Sequence, residues 1–277
     1  MNSVSLMARS KNKAKELGVT ANIVAQAYFF ESILKRIAKS EFHGKFIIKG
    51  GFLLSSIFGL SARSTMDIDF KFQETDLTLE ALQVIIEKIL AIDLQDQIRY
   101  IIISYESIRD MDKYGGYRIS LVAQLDNIRQ PLDIDIAFGD PVTPSEIEYH
   151  YRSILTGDII SMDAYNLETI VAEKFQSIIE KGIGNSRSKD YYDLYILLTL
   201  KRSEIDPSIL KEAIRKTFSY RNTPVNKAEF KRILADLSVN QEIISRWERY
   251  TKKHAFVGKL AFIEIIVVLR KLLTWGV

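Results

Sequence analysis

Along the first forty residues the apolar positions Ile23, Ala27, Phe30, Leu34 and Ile37 recur every three or four residues, as one face of an amphipathic helix does. Thr20 stands where an N-cap belongs, and the pattern fades over residues 42–45. Phe46-Ile47-Ile48 then forms a short β-like run that stops at Lys49-Gly50-Gly51, and residues 52–58 regain helical character. The predicted unit is strand, glycine turn, helix. Downstream, Met66, Ile68, Phe70 and Phe72 alternate with Asp67, Asp69 and Lys71, which predicts a strand with one apolar and one charged face. A helix is expected over 79–92, and strands over 99–105, 117–125 and 132–138, with Gly115-Gly116 suggesting a hairpin turn between the first two strands.

Asp140-Pro141 and Thr143-Pro144 punctuate the end of the strand-rich part. Beyond Asn166 the period becomes helical, over 167–179, 191–200, 207–217, 227–237, 241–250 and 259–273. The chain therefore reads as α+β, with an α/β domain over 1–160 and a helical domain over 161–277, without internal repeats or low-complexity segments.

Composition narrows the class. Hydrophobic residues make up 47% of the 277 and charged residues 26%, with 5 prolines and 13 glycines, as in folded globular domains rather than disordered tracts. There are no cysteines and 3 histidines, which excludes disulfides, thiolate metal sites and a cysteine nucleophile and makes a histidine-rich metal site improbable. The N-terminal stretch has basic residues but no apolar core of a signal peptide, so export is not expected. The apolar stretch 260–273, interrupted by Glu264, Arg270 and Lys271, is short of the roughly 20 residues of a membrane span and reads as a core helix.

The formal net charge of +3 is divided unevenly. Residues 1–165 hold 18 Lys/Arg against 22 Asp/Glu, a balance of −4, and residues 166–277 hold 20 against 13, a balance of +7. A nucleic-acid surface would account for this, as would scattered solvated helix faces. Candidate phosphate contacts are Lys211, Arg215, Lys216 and Arg221 in one stretch, and Arg246, Arg249, Lys252 and Lys253 in another.

The alternating strand at 66–72 projects Asp67 and Asp69 together, about 7 Å apart along the backbone, close enough to share a divalent cation. By itself such a pair is weak evidence, since alternating charge is common on exposed strands. Gly50-Gly51, at a strand-to-helix join, adds a place where phosphate oxygens can approach backbone N–H groups at the positive helix end, although an ordinary turn reads the same way. A third carboxylate is offered where Leu132, Ile134 and Ile136 alternate with Asp133 and Asp135. Asp135 is the preferred partner, as metal ligand or base, with the choice between the two resting on register. Arg63 and Thr65, just before the acidic strand, are candidates for phosphate or metal-bound water. Tyr191, Tyr192 and Tyr195 could stack on a base, but at this spacing packing between helices is the commoner role.

In order along the chain, the segments Phe46-Ile47-Ile48-Lys49-Gly50-Gly51, Arg63-Ser64-Thr65-Met66-Asp67-Ile68-Asp69, Leu132 to Asp140, Ala172-Glu173-Lys174 and Lys189-Asp190-Tyr191-Tyr192-Asp193-Leu194 resemble the AbiEii/AbiGii family of nucleotidyltransferase-like toxins, within the polymerase-β-type superfamily. The resemblance implies a polymerase-β-type domain with a mixed sheet followed by a C-terminal helical bundle. It implies that Gly50 and Gly51 bind the triphosphate, that Asp67 and Asp69 bind magnesium, and that Lys174 and Asp190 complete the site; Lys49, Arg63 and Thr65 join them as candidate nucleotide contacts and Asp135 as a candidate metal ligand from their places in the chain. Two details depart from the superfamily pattern: Gly51 stands where a serine is common, and Lys189 stands where an arginine usually precedes the aspartate.

The same resemblance implies a cytoplasmic toxin of a phage-defence toxin–antitoxin pair, with a cognate antitoxin that need not touch it. It further implies magnesium-dependent transfer from an NTP, GTP foremost, to RNA such as tRNA. Two other readings share these residues. One is a nucleotide-binding interaction protein without turnover, favoured by the missing serine after Gly50. The other is a two-metal nuclease, which the glycine-bearing turn argues against.

Overall fold

The computed structural model describes residues 1–75, 77–108 and 115–274, which fall into two compact units. The first comprises Met1–Asp140 and Ile147–Ala164, the second Pro141–Glu146 and Tyr165–Val277.

The first unit runs α1 (Ser3–Leu17), α2 (Ala21–Lys39), β1 (Phe46–Lys49), α3 (Gly50–Phe58), β2 (Asp67–Phe72), α4 (Leu79–Leu90), β3 (Arg99–Ser107), β4 (Gly116–Leu125), β5 (Ile128–Phe138), β6 (Ile147–Arg152) and β7 (Ile159–Ala164). Its seven strands form one mixed sheet in the order β3-β4-β5-β2-β1-β7-β6. Here β2 pairs in parallel with β5 and β1 with β7, and the remaining neighbours are antiparallel. The alternation read from the sequence appears on β2, where Ile68, Phe70 and Phe72 are buried and Asp67, Asp69 and Lys71 are half-buried. Phe46 meets Phe70 and Phe72 edge-on, with ring centroids 5.6 and 5.0 Å apart. Burial of each such side chain contributes on the order of 2 kcal/mol, which anchors the strand and fixes which face its carboxylates take.

Thr20 caps α2 as expected, its side chain accepting from the Ile23 backbone N–H. Three elements go beyond the sequence reading. Helix α1 buries Ser3, Leu6, Ser10 and Ala14, a helical spacing with a single large apolar residue, so hydrophobicity alone does not display it. Strands β6 and β7 follow the two proline turns at which strand-rich structure was expected to end. On β6 only Tyr151 is buried, and on β7 Ile159 is 53% exposed, which blurs the expected alternation. The hairpin expected near Gly115-Gly116 has its paired strands in β3 and β4, and residues 109–114 of its connection lie outside the described residues.

Two buried polar groups tie α2 into the unit. Arg36 grips Asp96 through both amino groups, at 2.8 and 2.9 Å. Glu31, 2% exposed, accepts from the Tyr151 hydroxyl at 2.9 Å and the Ile154 N–H at 2.7 Å. Burial pushes its carboxyl up to about 7 against the pull of these bonds and of Lys35.

The second unit contains α5 (Leu167–Lys181), α6 (Ser188–Leu200), α7 (Pro207–Tyr220), α8 (Lys227–Val239), α9 (Gln241–Lys253) and α10 (Phe262–Leu272). Asn166, Asp206, Asn226 and Asn240 cap α5, α7, α8 and α9 with their side chains. Phe175, Phe218 and Phe230 form an aromatic knot with centroids 5.4 to 5.9 Å apart. Helix α10 buries Phe262, Ile265, Ile266, Val268, Leu269 and Leu272 and leaves Ile263 and Val267 about half exposed. Among the described residues no single helix is long and apolar enough to cross a membrane.

Candidate active site

On the polar face of the sheet, the parallel register places Asp67 beside Asp133 and Asp69 beside Asp135. One carboxylate oxygen from each of Asp67, Asp69 and Asp135 lies within 4.8 Å of the other two, and all three side chains are half-buried. Oxygens on opposite sides of a magnesium ion are about 4.2 Å apart, so small side-chain rotations would bring these donors onto one ion. An all-oxygen donor set of this charge fits a hard divalent cation.

The neighbours hold the three acids in different ways. Thr65 donates its hydroxyl to Asp67 Oδ1. The N–H of Gly51, in the first turn of α3, reaches Asp69 Oδ2 at 3.3 Å. Arg118 on β4 grips Asp135 with a fork, Nε to Oδ1 at 2.8 Å and Nη2 to Oδ2 at 2.7 Å. Those bonds to Asp135, with Asp133 and Asp67 adding to them, push the Arg118 guanidinium further up and keep it charged. Asp133 instead accepts from the Ser120 hydroxyl at 2.7 Å. Arg118 and Ser120 face Asp135 and Asp133 in the antiparallel register of β4 with β5. Neither was singled out in the sequence, although their i, i+2 spacing on a predicted strand put them on one face.

The glycine pair has a specific steric reason here. Gly50 adopts φ +68°, and a Cβ there would collide with the Asp69 carboxylate. A Cβ on Gly51 would lie 2.8 Å from Thr65 Oγ1 and 3.1 Å from Arg63 Nη2. Both glycines thus let the start of α3 close onto the acidic strand and the segment before it. Arg63 is buried and donates to the Ser64 carbonyl. Lys49 lies in a buried ion pair, its Nζ 2.9 Å from Asp140 Oδ2. That pair gives Lys49 a structural role in the described geometry.

The second unit gathers a separate charged group. Lys174 Nζ, on α5, sits 3.0 Å from Asp190 Oδ1 and 2.7 Å from Asp193 Oδ2, both buried on α6. Arg187 adds a contact of 3.2 Å to Asp190 Oδ2. Lys174 and Asp190, expected together at the site, thus meet in an ion pair, and the same cation is shared with Asp193. Tyr191 and Tyr192 are buried, packed edge-on against Phe262 at 5.2 Å and tilted against Phe256 at 5.2 Å, so they are packing residues.

Known proteins are similar to this chain. A family model for the nucleotidyl transferase AbiEii toxin of type IV toxin–antitoxin systems matches residues 32–262. Among solved structures, a protein from H. pylori assigned as a nucleotidyltransferase is similar at a TM-score of 0.55 and 16% identity, over 92% of this chain and 95% of that one. JHP933 from Helicobacter pylori is similar at a TM-score of 0.50 and 15% identity, over 88% and 87%. At these identities the two structures speak for the fold alone. No curated protein matches the chain. The family model covers most of the residues and both units, and the chain therefore belongs to the AbiEii family of nucleotidyltransferase toxins of type IV toxin–antitoxin systems.

Proposed function

We propose that Asp67, Asp69 and Asp135 hold magnesium and that the protein transfers a nucleotide from an NTP, with GTP the favoured donor, to an RNA acceptor such as tRNA, releasing pyrophosphate. The observation that carries the reading is the convergence of three carboxylates within 4.8 Å beside a helix start stripped of Cβ atoms. Bound magnesium would supply charge neutralisation for the triphosphate and the leaving pyrophosphate. The chain's own groups position the ligands. Thr65 orients Asp67, the Gly51 N–H orients Asp69, and the Arg118 fork orients Asp135. Asp135 is also the candidate base for the proton of an acceptor hydroxyl. Participation of Lys174 and Asp190 in turnover rests on the family resemblance, and that of Arg63 in phosphate contact on its place just before the acidic strand.

Substrates of this kind place the activity in the cytoplasm, where the cognate antitoxin limits it. The test is incorporation of each α-labelled NTP into total RNA by the purified protein, with and without magnesium, beside Asp67→Ala. Magnesium-dependent labelling of RNA, strongest with GTP and absent in the variant, is expected. Tight NTP binding with no transfer to any RNA would turn the reading to a nucleotide-binding protein, and shortening of RNA without NTP would turn it to a nuclease.

A further inference from the structure

The two basic stretches of the second unit are equivalent in sequence and different in structure. In the first, Arg221 bonds Gln176 at 3.0 Å and lies 3.4 Å from Glu173 with its side chain 15% exposed, and Lys216 pairs with Glu212 at 2.8 Å. In the second, Arg246, Arg249 and Lys253 follow one another at i, i+3 and i+7 along α9, a helix spacing that keeps them on one side over about 10 Å. They line a cleft together with Arg187 and Lys189 at the start of α6. Tyr250 lines the same cleft. No carboxylate lines it among the described residues, although Arg187 pairs with buried Asp190 and Arg246 with exposed Glu242 one turn earlier on α9.

We infer that this α6–α9 cleft is a docking surface for the phosphate backbone of RNA, an inference that rests on the proposed RNA acceptor. Three features suit a phosphate backbone, and the third favours a nucleic acid over an acidic protein. Three of the five cations are arginines, whose planar forks match phosphate oxygens. The start of α6 adds the positive end of a helix dipole. Tyr250 lines the cleft half-exposed, held inside an aromatic run between buried Trp247 at 5.5 Å and His254 at 4.5 Å, a fixed aromatic edge that a base can meet. The surface is sequence-neutral, because it offers charge and one aromatic edge without a set of base-reading amides.

The experiment measures binding of the full chain to bulk tRNA and to a mixed-sequence single-stranded RNA across a salt series, for wild type, Arg249→Gln/Lys253→Gln and Lys211→Gln/Lys216→Gln. Arg249 and Lys253 are exposed, so their replacement should leave the fold intact, which a melting curve checks. Each phosphate contact contributes about 0.7 to the log–log salt slope for single strands, so loss of two should flatten the slope by about 1.4 and weaken binding at low salt about tenfold or more. The α7 pair should change little, and NTP binding should be the same in all three. Unchanged affinity and slope in the α9 variant would overturn the inference. Intact RNA binding with lost neutralisation by the antitoxin would overturn it in favour of an acidic protein partner. The acceptor reading is decided separately: wild-type protein that labels no RNA removes that reading, whatever the binding series shows.

Discussion

The absent Cβ of Gly50 and the carboxylate of Asp69 occupy the same place: with φ at +68°, any side chain at residue 50 would run into the Asp69 oxygens that the Gly51 N–H approaches at 3.3 Å. Gly50→Ala should therefore cost about 1–2 kcal/mol through the left-handed backbone and displace a metal ligand. A misplacement near 1 Å is worth about a hundredfold in rate. Melting and nucleotide transfer measured on one preparation check this; transfer at the wild-type rate would show that Asp69 has another way to settle.

Asp67→Ala and Asp69→Ala should each reduce transfer about a thousandfold or more while leaving the fold intact. Both carboxylates lie on the half-buried polar face, and each belongs to a crowded cluster of like charges, so the apo protein should melt no lower than wild type. Calorimetric titration with magnesium should show the loss of affinity directly. A variant that keeps magnesium affinity and toxicity at equal protein level would reject the metal assignment.

Arg118→Gln removes the fork that neutralises Asp135 within the group that also holds Asp67 and Asp69. The expected result is a lower melting temperature in chelator than wild type, with most of the deficit recovered on adding a divalent cation. Ligand binding to the folded state raises stability in just this way. If magnesium stabilises the variant no more than wild type, Arg118 is not a stand-in for metal charge.

For Lys174→Ala, the geometry calls for a larger folding cost than a surface lysine would give. Its ammonium lies 2.7 Å from Asp193, which is fully buried, and 3.0 Å from Asp190. Removal of one partner from such a pair costs roughly 3–5 kcal/mol. Denaturant unfolding of Lys174→Ala and Lys174→Arg should show a deep loss in the first and partial rescue in the second. Equal stability of Lys174→Ala and wild type would return the residue to a solvent-facing role.

Glu31 gives a pH signature. Its folded value is raised to about 7 from an ordinary 4.5, so its contribution to stability is complete below about pH 4.5 and is lost as pH rises through 7. At about 1.4 kcal/mol per pKa unit the loss is roughly 3 kcal/mol. Glu31→Gln keeps an oxygen to accept from Tyr151 and Ile154 and has no proton to lose. Its stability relative to wild type should rise between pH 5 and pH 8. A difference that stays flat across that interval would show Glu31 to titrate normally.

The strand bearing Asp67 and Asp69, the strand bearing Asp133 and Asp135, and the six helices of the second unit were legible in the sequence because each declares itself by a local period: two for a strand with one wet face, 3.6 for a helix with one dry face. The glycine pair was legible as a special turn for the same local reason. What the sequence could not carry was set by pairing across distance. Parallel register between β2 and β5 selects Asp135 as the neighbour of Asp69, and a slip by one residue would have put the acids of the two strands on opposite faces. Register between β4 and β5 brings Arg118 and Ser120 to the acids, two residues that carry no signal alone. Helix α1 and strand β6 escaped detection because they bury small or few side chains, and β7 because exposed Ile159 blurs the alternation of buried Ile160, Met162 and Ala164. Likewise, composition put net positive charge in the last 112 residues, but only the packing of α6 beside α9 gathers cations from two helices into one open cleft. Charge is written residue by residue; the field it makes depends on which side chains the fold leaves facing one another.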